Sequence, residues 1–141
     1  MHPIHPMLVH FPIALLTTGW LFDLLAVWRQ DERLRESGWY LSITGLLSAG
    51  AAVVTGHFAE EAVEHSGIPK PAIEIHEELA FVAAGIFAAL VAWRFAMRMG
   101  LMPEKRVLVL VVGAVGLLVL FVASYFGGDL VYRYGAGVLP K

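Results

Sequence analysis

Four long apolar segments constrain this chain more than any other feature of its sequence. They cover residues 7–28, 39–56, 79–97 and 107–126, and an α-helix needs about 20 apolar residues to cross the hydrocarbon core of a bilayer. Inside a bilayer every backbone polar group must be satisfied within the protein, so such segments cross as helices. The sequence therefore predicts an all-α membrane protein, a single domain over residues 1–141 that forms a bundle of four transmembrane helices.

The composition excludes several other classes of protein. Hydrophobic residues make up 58% of the chain and charged residues 16%, whereas soluble domains average about 25% charged residues. The net charge is −2 and no basic stretch is present, so nucleic acid is not expected as a partner. Cysteine is absent, so a bound metal would need His, carboxylate or Met ligands. No Lys or Arg precedes the first apolar segment and no small-residue cleavage pattern follows it, which favours a permanent span over a signal peptide.

Basic residues predict the orientation of the four spans. Seven of the ten lie in the two loops that follow the first and third spans, or at their edges: Arg29, Arg33, Arg35, Arg94, Arg98, Lys105 and Arg106. Because cytoplasmic loops carry the excess of Lys and Arg, these loops are expected in the cytoplasm. We therefore expect a multi-pass protein of the bacterial inner membrane, with both termini and the middle loop on the non-cytoplasmic, periplasmic side.

All six histidines fall on that predicted outer side. They are His2, His5, His10, His57, His65 and His76. Prolines after His2 and His5 favour extended backbone at both histidines. Pro12 has no N–H to bond to the carbonyl of Leu8, which predicts a kink around His10. One interpretation is that these rings simply lie at the membrane interface, where a partly polar side chain is stable.

A second interpretation is a b-type haem site near the outer face. His57 and His76 are predicted at matching depth on neighbouring helices, each above small residues that would leave a slot for a flat macrocycle. His10 is an alternative axial ligand, and depth alone does not choose between His5, His10 and His57 as the partner of His76. Arg133 is a candidate to pair with a haem propionate, with a nearby glutamate or with lipid phosphate.

The same residues also suit a divalent metal without haem. Neutral imidazoles of His5, His10, His57 and His76 are donors that Zn or Cu accepts. Carboxylates nearby would complete such a site: Glu61, Glu77 and Glu78. The spacing differs from the helical signature of zinc proteases, so hydrolysis has no support.

Two further features lie outside the histidine cluster. Asp23 is the one acid within a predicted span, and an intramembrane carboxylate is usually paired or functional. Arg94 is expected at comparable depth, so the sequence predicts an Asp23–Arg94 ion pair, with a proton pathway through Asp23 as the alternative. The doublet Gly127–Gly128 is predicted to end the fourth helix.

Several motifs resemble a known family. The opening "HPMLVHFPIALL", the "IHEELA" that begins the third span, and the closing "GGDLVYRYGAGV" resemble the bacterial membrane proteins of domain of unknown function 2231. His5, His10 and His76 match that family's histidine pattern. This chain has Asp129 where Glu is familiar and Tyr134 where His is expected. The resemblance implies a four-span bundle in a respiratory setting, since some members accompany Rieske or cytochrome c domains.

Three functions follow from these observations. The first is an inner-membrane haem b protein that transfers electrons, with quinone or a respiratory cytochrome as partner. The second is a protein that binds or transports Zn or Cu. The third is a non-catalytic subunit that docks a respiratory partner. In each case the chain is expected to be an electron carrier or subunit rather than a stand-alone enzyme. Four spans make a thin bundle, so a homo-oligomer is also expected.

Overall fold

The computed structural model describes residues 4–64 and 67–136, with the side chains of residues 60–64 left aside. Over these ranges the secondary structure is entirely helical. The elements are α1 (Ile4–Leu8), α2 (His10–Arg29), α3 (Glu32–Glu64), α4 (Lys70–Arg98) and α5 (Arg106–Tyr134). Four helical stretches are long and apolar enough to cross a membrane, the first formed by α1 and α2 together. The predicted four-span, all-α class is confirmed.

The helices extend well beyond the apolar segments that predicted them. α3 begins at Glu32 rather than residue 39, and α4 begins at Lys70 rather than residue 79. The loop between α2 and α3 is correspondingly short, because Gln30 adopts a left-handed conformation (φ 54°) that caps α2. The lengths of the apolar segments therefore located the spans. They did not predict the polar turns by which the helices continue beyond those segments.

The predicted end of the fourth helix at Gly127–Gly128 is wrong. α5 continues to Tyr134 and ends at Gly135, whose φ of 73° is the left-handed cap. Glycine in a helix keeps its backbone hydrogen bonds, and its cost of about 1 kcal/mol is tolerable where the missing side chain serves packing. Gly127 serves packing in this way, as shown below.

The N-terminal helix is broken near the predicted kink. α1 ends at Leu8 and α2 begins at His10, with Val9 in a turn between them. Pro12 cannot donate to the carbonyl of Leu8, so the break has the predicted cause. The extended backbone predicted at His5 is wrong, because His5 lies within α1. His2, the other histidine of that prediction, lies outside the described residues.

The four spans surround one narrow core. α2 packs mainly against α3 and α4 mainly against α5, while further contacts join α3 to α4 and α2 to α5. The helices therefore follow one another around the bundle, and α2 lies diagonally opposite α4. The core cluster consists of Leu16, Phe87, Leu90, Val109 and Leu117.

Glycines permit the close approach of helices within each hairpin. A Cβ at Gly45 would lie 2.6 Å from Cδ2 of Leu16, and a Cβ at Gly116 would lie 3.0 Å from Cε2 of Phe87. In membranes, small residues at an interface stabilise helix pairs through close packing. Close packing at glycine is therefore present at Gly45 and Gly116, whereas a Cβ at Gly50 would have no neighbour within 4 Å.

The two hairpins, α2–α3 and α4–α5, repeat the same arrangement at an offset of 71 residues. Four of the five buried positions of α2 correspond to buried positions of α4: Pro12 with Ala83, Leu16 with Phe87, Gly19 with Leu90, and Asp23 with Arg94. Buried positions of α3 and α5 correspond at the same offset: Gly38 with Val109, Ser42 with Gly113, Gly45 with Gly116, and Ala52 with Ala123. The halves are therefore related by an approximate twofold rotation about the bundle axis.

Candidate functional site: a histidine pair on the bundle axis

His5 lies in α1, at the start of the first span, and two features of α3 hold its ring in place. Its Nδ1 lies 2.9 Å from the carbonyl oxygen of Ala52. A carbonyl only accepts hydrogen bonds, so Nδ1 carries the proton and the neutral ring keeps its lone pair on Nε2. The ring packs on Gly56, where a Cβ would lie 2.9 Å from the imidazole Cε1. Gly56 therefore makes the space that His5 occupies.

His76 is held in the same way by α5. Its Nδ1 donates to the carbonyl oxygen of Ala123 at 2.9 Å, and a Cβ at Gly127 would lie 2.8 Å from its Cε1. In both halves the histidine and its acceptor are 47 residues apart. The repeat thus preserves a complete local unit, consisting of the imidazole, its carbonyl acceptor and its glycine.

The two imidazole rings meet near the bundle axis. Their centroids are 6.2 Å apart and their planes are inclined at 74°. His5 precedes α2 and His76 lies in α4, and these spans are diagonal neighbours, so the two rings approach each other across the centre. The site is therefore a symmetric pair of imidazoles at one end of the bundle.

This arrangement has the features of a metal-ligating histidine pair. Ligating histidines commonly donate one ring N–H to a carbonyl, which orients the ring and leaves the other nitrogen for the metal. A nitrogen binds metals at about 2 Å and lies about 1 Å from its ring centroid, so two imidazoles on opposite sides of one ion have centroids about 6 Å apart. The observed separation fits that geometry, whereas a tetrahedral angle would give about 5 Å.

The other end of the same axis carries an ion pair. Arg94 donates from Nη1 to Oδ2 of Asp23 at 2.5 Å and from Nη2 to Oδ1 at 2.8 Å. Arg94 Nη1 also lies 3.1 Å from the Ser42 hydroxyl, and its guanidinium stacks 5.6 Å from the centroid of the Trp39 ring. All four side chains are buried. The predicted Asp23–Arg94 pair is confirmed.

Comparison with known proteins identifies the family. A family model described as "Predicted membrane protein (DUF2231)" matches residues 1–140. The chain belongs to DUF2231. No curated protein and no solved structure matches it. Membership agrees with the resemblance seen in the sequence and with the prediction of a multi-pass membrane protein. The description of the family names no chemical activity.

In this DUF2231 protein, the other predicted ligands lie apart from the pair. His10 is exposed at the start of α2. The side chain of His57 is 67% exposed, and its Nδ1 lies 3.4 Å from Oε1 of Glu77. His65 and the side chain of Glu61 lie outside the described residues. Within the described part of the chain, no three His, Asp or Glu side chains are grouped around a point that would hold a metal ion.

Arg133 lies on the last turns of α5 and faces outward. Its side chain is 69% exposed, and its Nη1 lies 3.6 Å from Oδ2 of Asp129, one helical turn earlier. The sequence predicted a propionate, a glutamate or a lipid phosphate as the partner, and the partner in this DUF2231 structure is an aspartate. Its role toward a cofactor stays a prediction.

Sequence reasoning missed the residues that support the histidine pair. The sequence predicts Gly56 as the end of a span and Gly127 as a helix terminus, yet each lies under an imidazole. Two sequence patterns that each occur twice in this DUF2231 chain would have pointed to these glycines. Ile, His and Leu recur as "IHPML" and "IHEEL", and the patterns "GLLSAGAAVVTG" and "GLLVLFVASYFG" share their Gly, Leu, Leu, Ala and Gly positions. A search for internal repeats reveals both pairs.

Proposed function

We propose that this DUF2231 protein holds a haem b between His5 and His76 and transfers electrons. One observation carries the proposal. Two imidazoles, each donating its Nδ1–H in a hydrogen bond to a backbone carbonyl, lie near the bundle axis with their centroids 6.2 Å apart. His5 and His76 are therefore the residues that would hold the iron of a haem, each through its Nε2. The sequence left the partner of His76 open, and this geometry favours His5 over His10 and His57.

Electron transfer is the chemistry that such a pair supports best. When both axial positions of a haem iron are filled by imidazole, no coordination position is open for a substrate. The proposed partners are accordingly a quinone and a respiratory cytochrome. Arginines at the helix ends on the opposite side of the bundle support a location of the site near the periplasmic face of a bacterial inner membrane.

A bare copper ion is the second candidate. The ion would be copper(I) rather than the divalent ion, because only copper(I) accepts two ligands in a line. Two imidazoles with centroids 6.2 Å apart, each seated tightly on a glycine, would supply those ligands. Zinc is less well served, since it usually takes four ligands and the described residues offer no third His, Asp or Glu at the pair.

A visible spectrum of the purified protein tests the first candidate. Full-length protein expressed with haem available is expected to show reduced-minus-oxidised bands of a bis-imidazole haem. The bands should disappear in His5→Ala and in His76→Ala. They should persist in the matched controls His10→Ala and His57→Ala, whose rings are exposed and lie apart from the pair.

Other outcomes of the same experiment are equally decisive. A colourless protein that contains one copper per chain, lost in His5→Ala, would replace haem by copper. A folded, colourless protein without stoichiometric metal would refute both candidates, and a docking subunit would then be the remaining function. A spectrum that is lost in His10→Ala but kept in His5→Ala would refute the assignment of the pair.

Labelling of introduced cysteines tests the proposed orientation. The chain has no natural cysteine, so Arg133→Cys and Arg33→Cys each provide one thiol at opposite ends of the bundle. A membrane-impermeant maleimide added to intact spheroplasts is expected to label only the first. Labelling of Arg33→Cys alone would reverse the proposed orientation.

A further inference from the structure

A cavity of about 80 Å³ lies at the end of the bundle opposite the histidine pair. Four arginines, two acids and a wall of apolar side chains line it. The charged residues are Arg35, Arg94, Arg98, Arg106, Asp23 and Glu104. One water occupies about 30 Å³ in the liquid, so the cavity has room for a group the size of a tetrahedral oxyanion. The cavity lies near the ends of α2 and α4, and the ends of membrane-spanning helices are expected near the lipid headgroups.

The ion pairs around the cavity leave one donor without a partner. Nε of Arg35 is buried and finds no acceptor among the residues that the structure describes, although the terminal nitrogens of that guanidinium pair with Glu32 and Glu104. A buried donor without an acceptor costs about 1–3 kcal/mol, and more when the group is charged. Arg35 lines the cavity, so an acceptor that reaches Nε from there would remove this cost.

The remaining pairs are arranged so that two arginines are easily released. Arg98 pairs with Glu36 through both terminal nitrogens, and Arg106 pairs with Glu32 and Glu104. These three glutamate side chains are 41%, 53% and 46% exposed. Exposed ion pairs contribute little free energy, so the glutamates exchange their arginine for water at low cost. Arg94 differs, because its two bonds to Asp23 are buried.

We propose that this cavity binds a phosphate group, carried either by an anionic phospholipid headgroup or by free phosphate. Guanidinium groups match the oxygens of a phosphate with paired, charge-assisted hydrogen bonds. The apolar wall lowers the local dielectric, which strengthens those bonds. Basic pockets between transmembrane helices are known to receive anionic headgroups. The site does not depend on the histidine pair or on its occupant.

Native mass spectrometry and calorimetry of the full-length protein in detergent test the proposal. Phosphatidylglycerol added to the protein is expected to remain bound, whereas phosphatidylcholine, which adds a positive charge, dissociates. Inorganic phosphate titrated into the lipid-free protein separates the two sources. Measurable heat identifies free phosphate as a ligand, and retention of phosphatidylglycerol without such heat identifies the lipid headgroup.

Variants locate the binding at the cavity. Arg35→Gln is expected to weaken binding by at least about tenfold, because charge-assisted hydrogen bonds contribute roughly 1.5–3 kcal/mol. Arg35→Lys keeps the charge without the Nε donor and should also lose affinity, which covers the case in which Arg35→Gln fails to fold. Arg29→Gln is the matched control, since Arg29 is exposed at the same end and does not line the cavity.

Two outcomes would overturn the proposal. One is the absence of binding by both phosphatidylglycerol and inorganic phosphate. The other is an equal loss in Arg35→Gln and Arg29→Gln, which would indicate attraction to the basic surface as a whole. His5→Ala should leave phosphate binding unchanged. Failure of the proposed histidine site would therefore not refute the proposed phosphate site, and the reverse also holds.

Discussion

Asp23 and Arg94 occupy equivalent positions in the two halves of the bundle, 71 residues apart, and bind each other through two buried hydrogen bonds. An exact repeat would place like residues opposite each other at this point of the axis. Opposite charges make the two hairpins complementary instead of identical. The ion pair therefore breaks the symmetry that the histidine pair, at the other end of the axis, retains.

Removal of either partner of the ion pair should destabilise the bundle strongly. Asp23→Ala or Arg94→Ala leaves a buried, unpaired charge, which costs about 3–5 kcal/mol. Thermal unfolding in detergent, followed by size-exclusion chromatography, measures the loss. The double variant Asp23→Leu/Arg94→Met should be clearly more stable than either single one. Arg133→Ala, which removes an exposed pair, should change the free energy by less than about 1 kcal/mol.

Substitution of the two supporting glycines should displace the imidazoles. The added methyl in Gly56→Ala or Gly127→Ala would lie within 2.9 Å of an imidazole Cε1, so the ring must move. Loss of such an orienting contact lowers metal affinity by about 10–100-fold, measured as the bound haem or copper per chain. Gly128→Ala and Gly50→Ala are the matched controls, because neither new methyl has a neighbour within 4 Å. Equal loss in all four variants would contradict the packing argument.

The core should tolerate truncation poorly at Leu16. Its side chain is 2% exposed and packs against Gly45, so Leu16→Ala creates a cavity that costs about 2–5 kcal/mol. Leu21 lies on the same helix and is 45% exposed, so Leu21→Ala should cost much less. Thermal unfolding of both variants in the same detergent tests the difference. Similar unfolding temperatures would place the first span differently from the structure.

The two hairpins should assemble when they are made as separate chains. Residues 1–66 and 67–141 each contain one hairpin, and each alone exposes one half of the buried ion pair. Co-expression is expected to give a stable complex that co-purifies through a tag on one fragment. In Arg94→Asp, both fragments carry an acid at the axis, so recovery of the complex should fall sharply. Unchanged recovery would show that the ion pair does not select the partner.

The membrane-spanning character and the ion pair were accessible from the sequence. Four apolar segments predicted the four spans because hydrophobic length is set by bilayer thickness. Asp23 and Arg94 were matched by depth, since a charge inside a span needs a partner at the same level. Both deductions use position along the membrane normal, which a linear sequence records directly.

The histidine pair required the tertiary structure. His5, His10 and His57 are predicted at similar depth to His76, and nothing in depth says which of them faces the axis. That choice depends on how each helix is rotated, which the packing of Gly56 and Gly127 decides. Helix lengths were likewise misjudged where polar turns continue beyond the membrane core, as in α3.

The sequence by itself determined what crosses the membrane and at what level each charged or ligating group lies. The tertiary structure alone decided which of those groups meet across the axis. The physical reason is that burial in lipid is a one-dimensional property of chain segments. The approach of two side chains depends instead on close packing around glycines on separate helices. For this chain, that packing brings His5 to His76 and leaves His10 and His57 exposed.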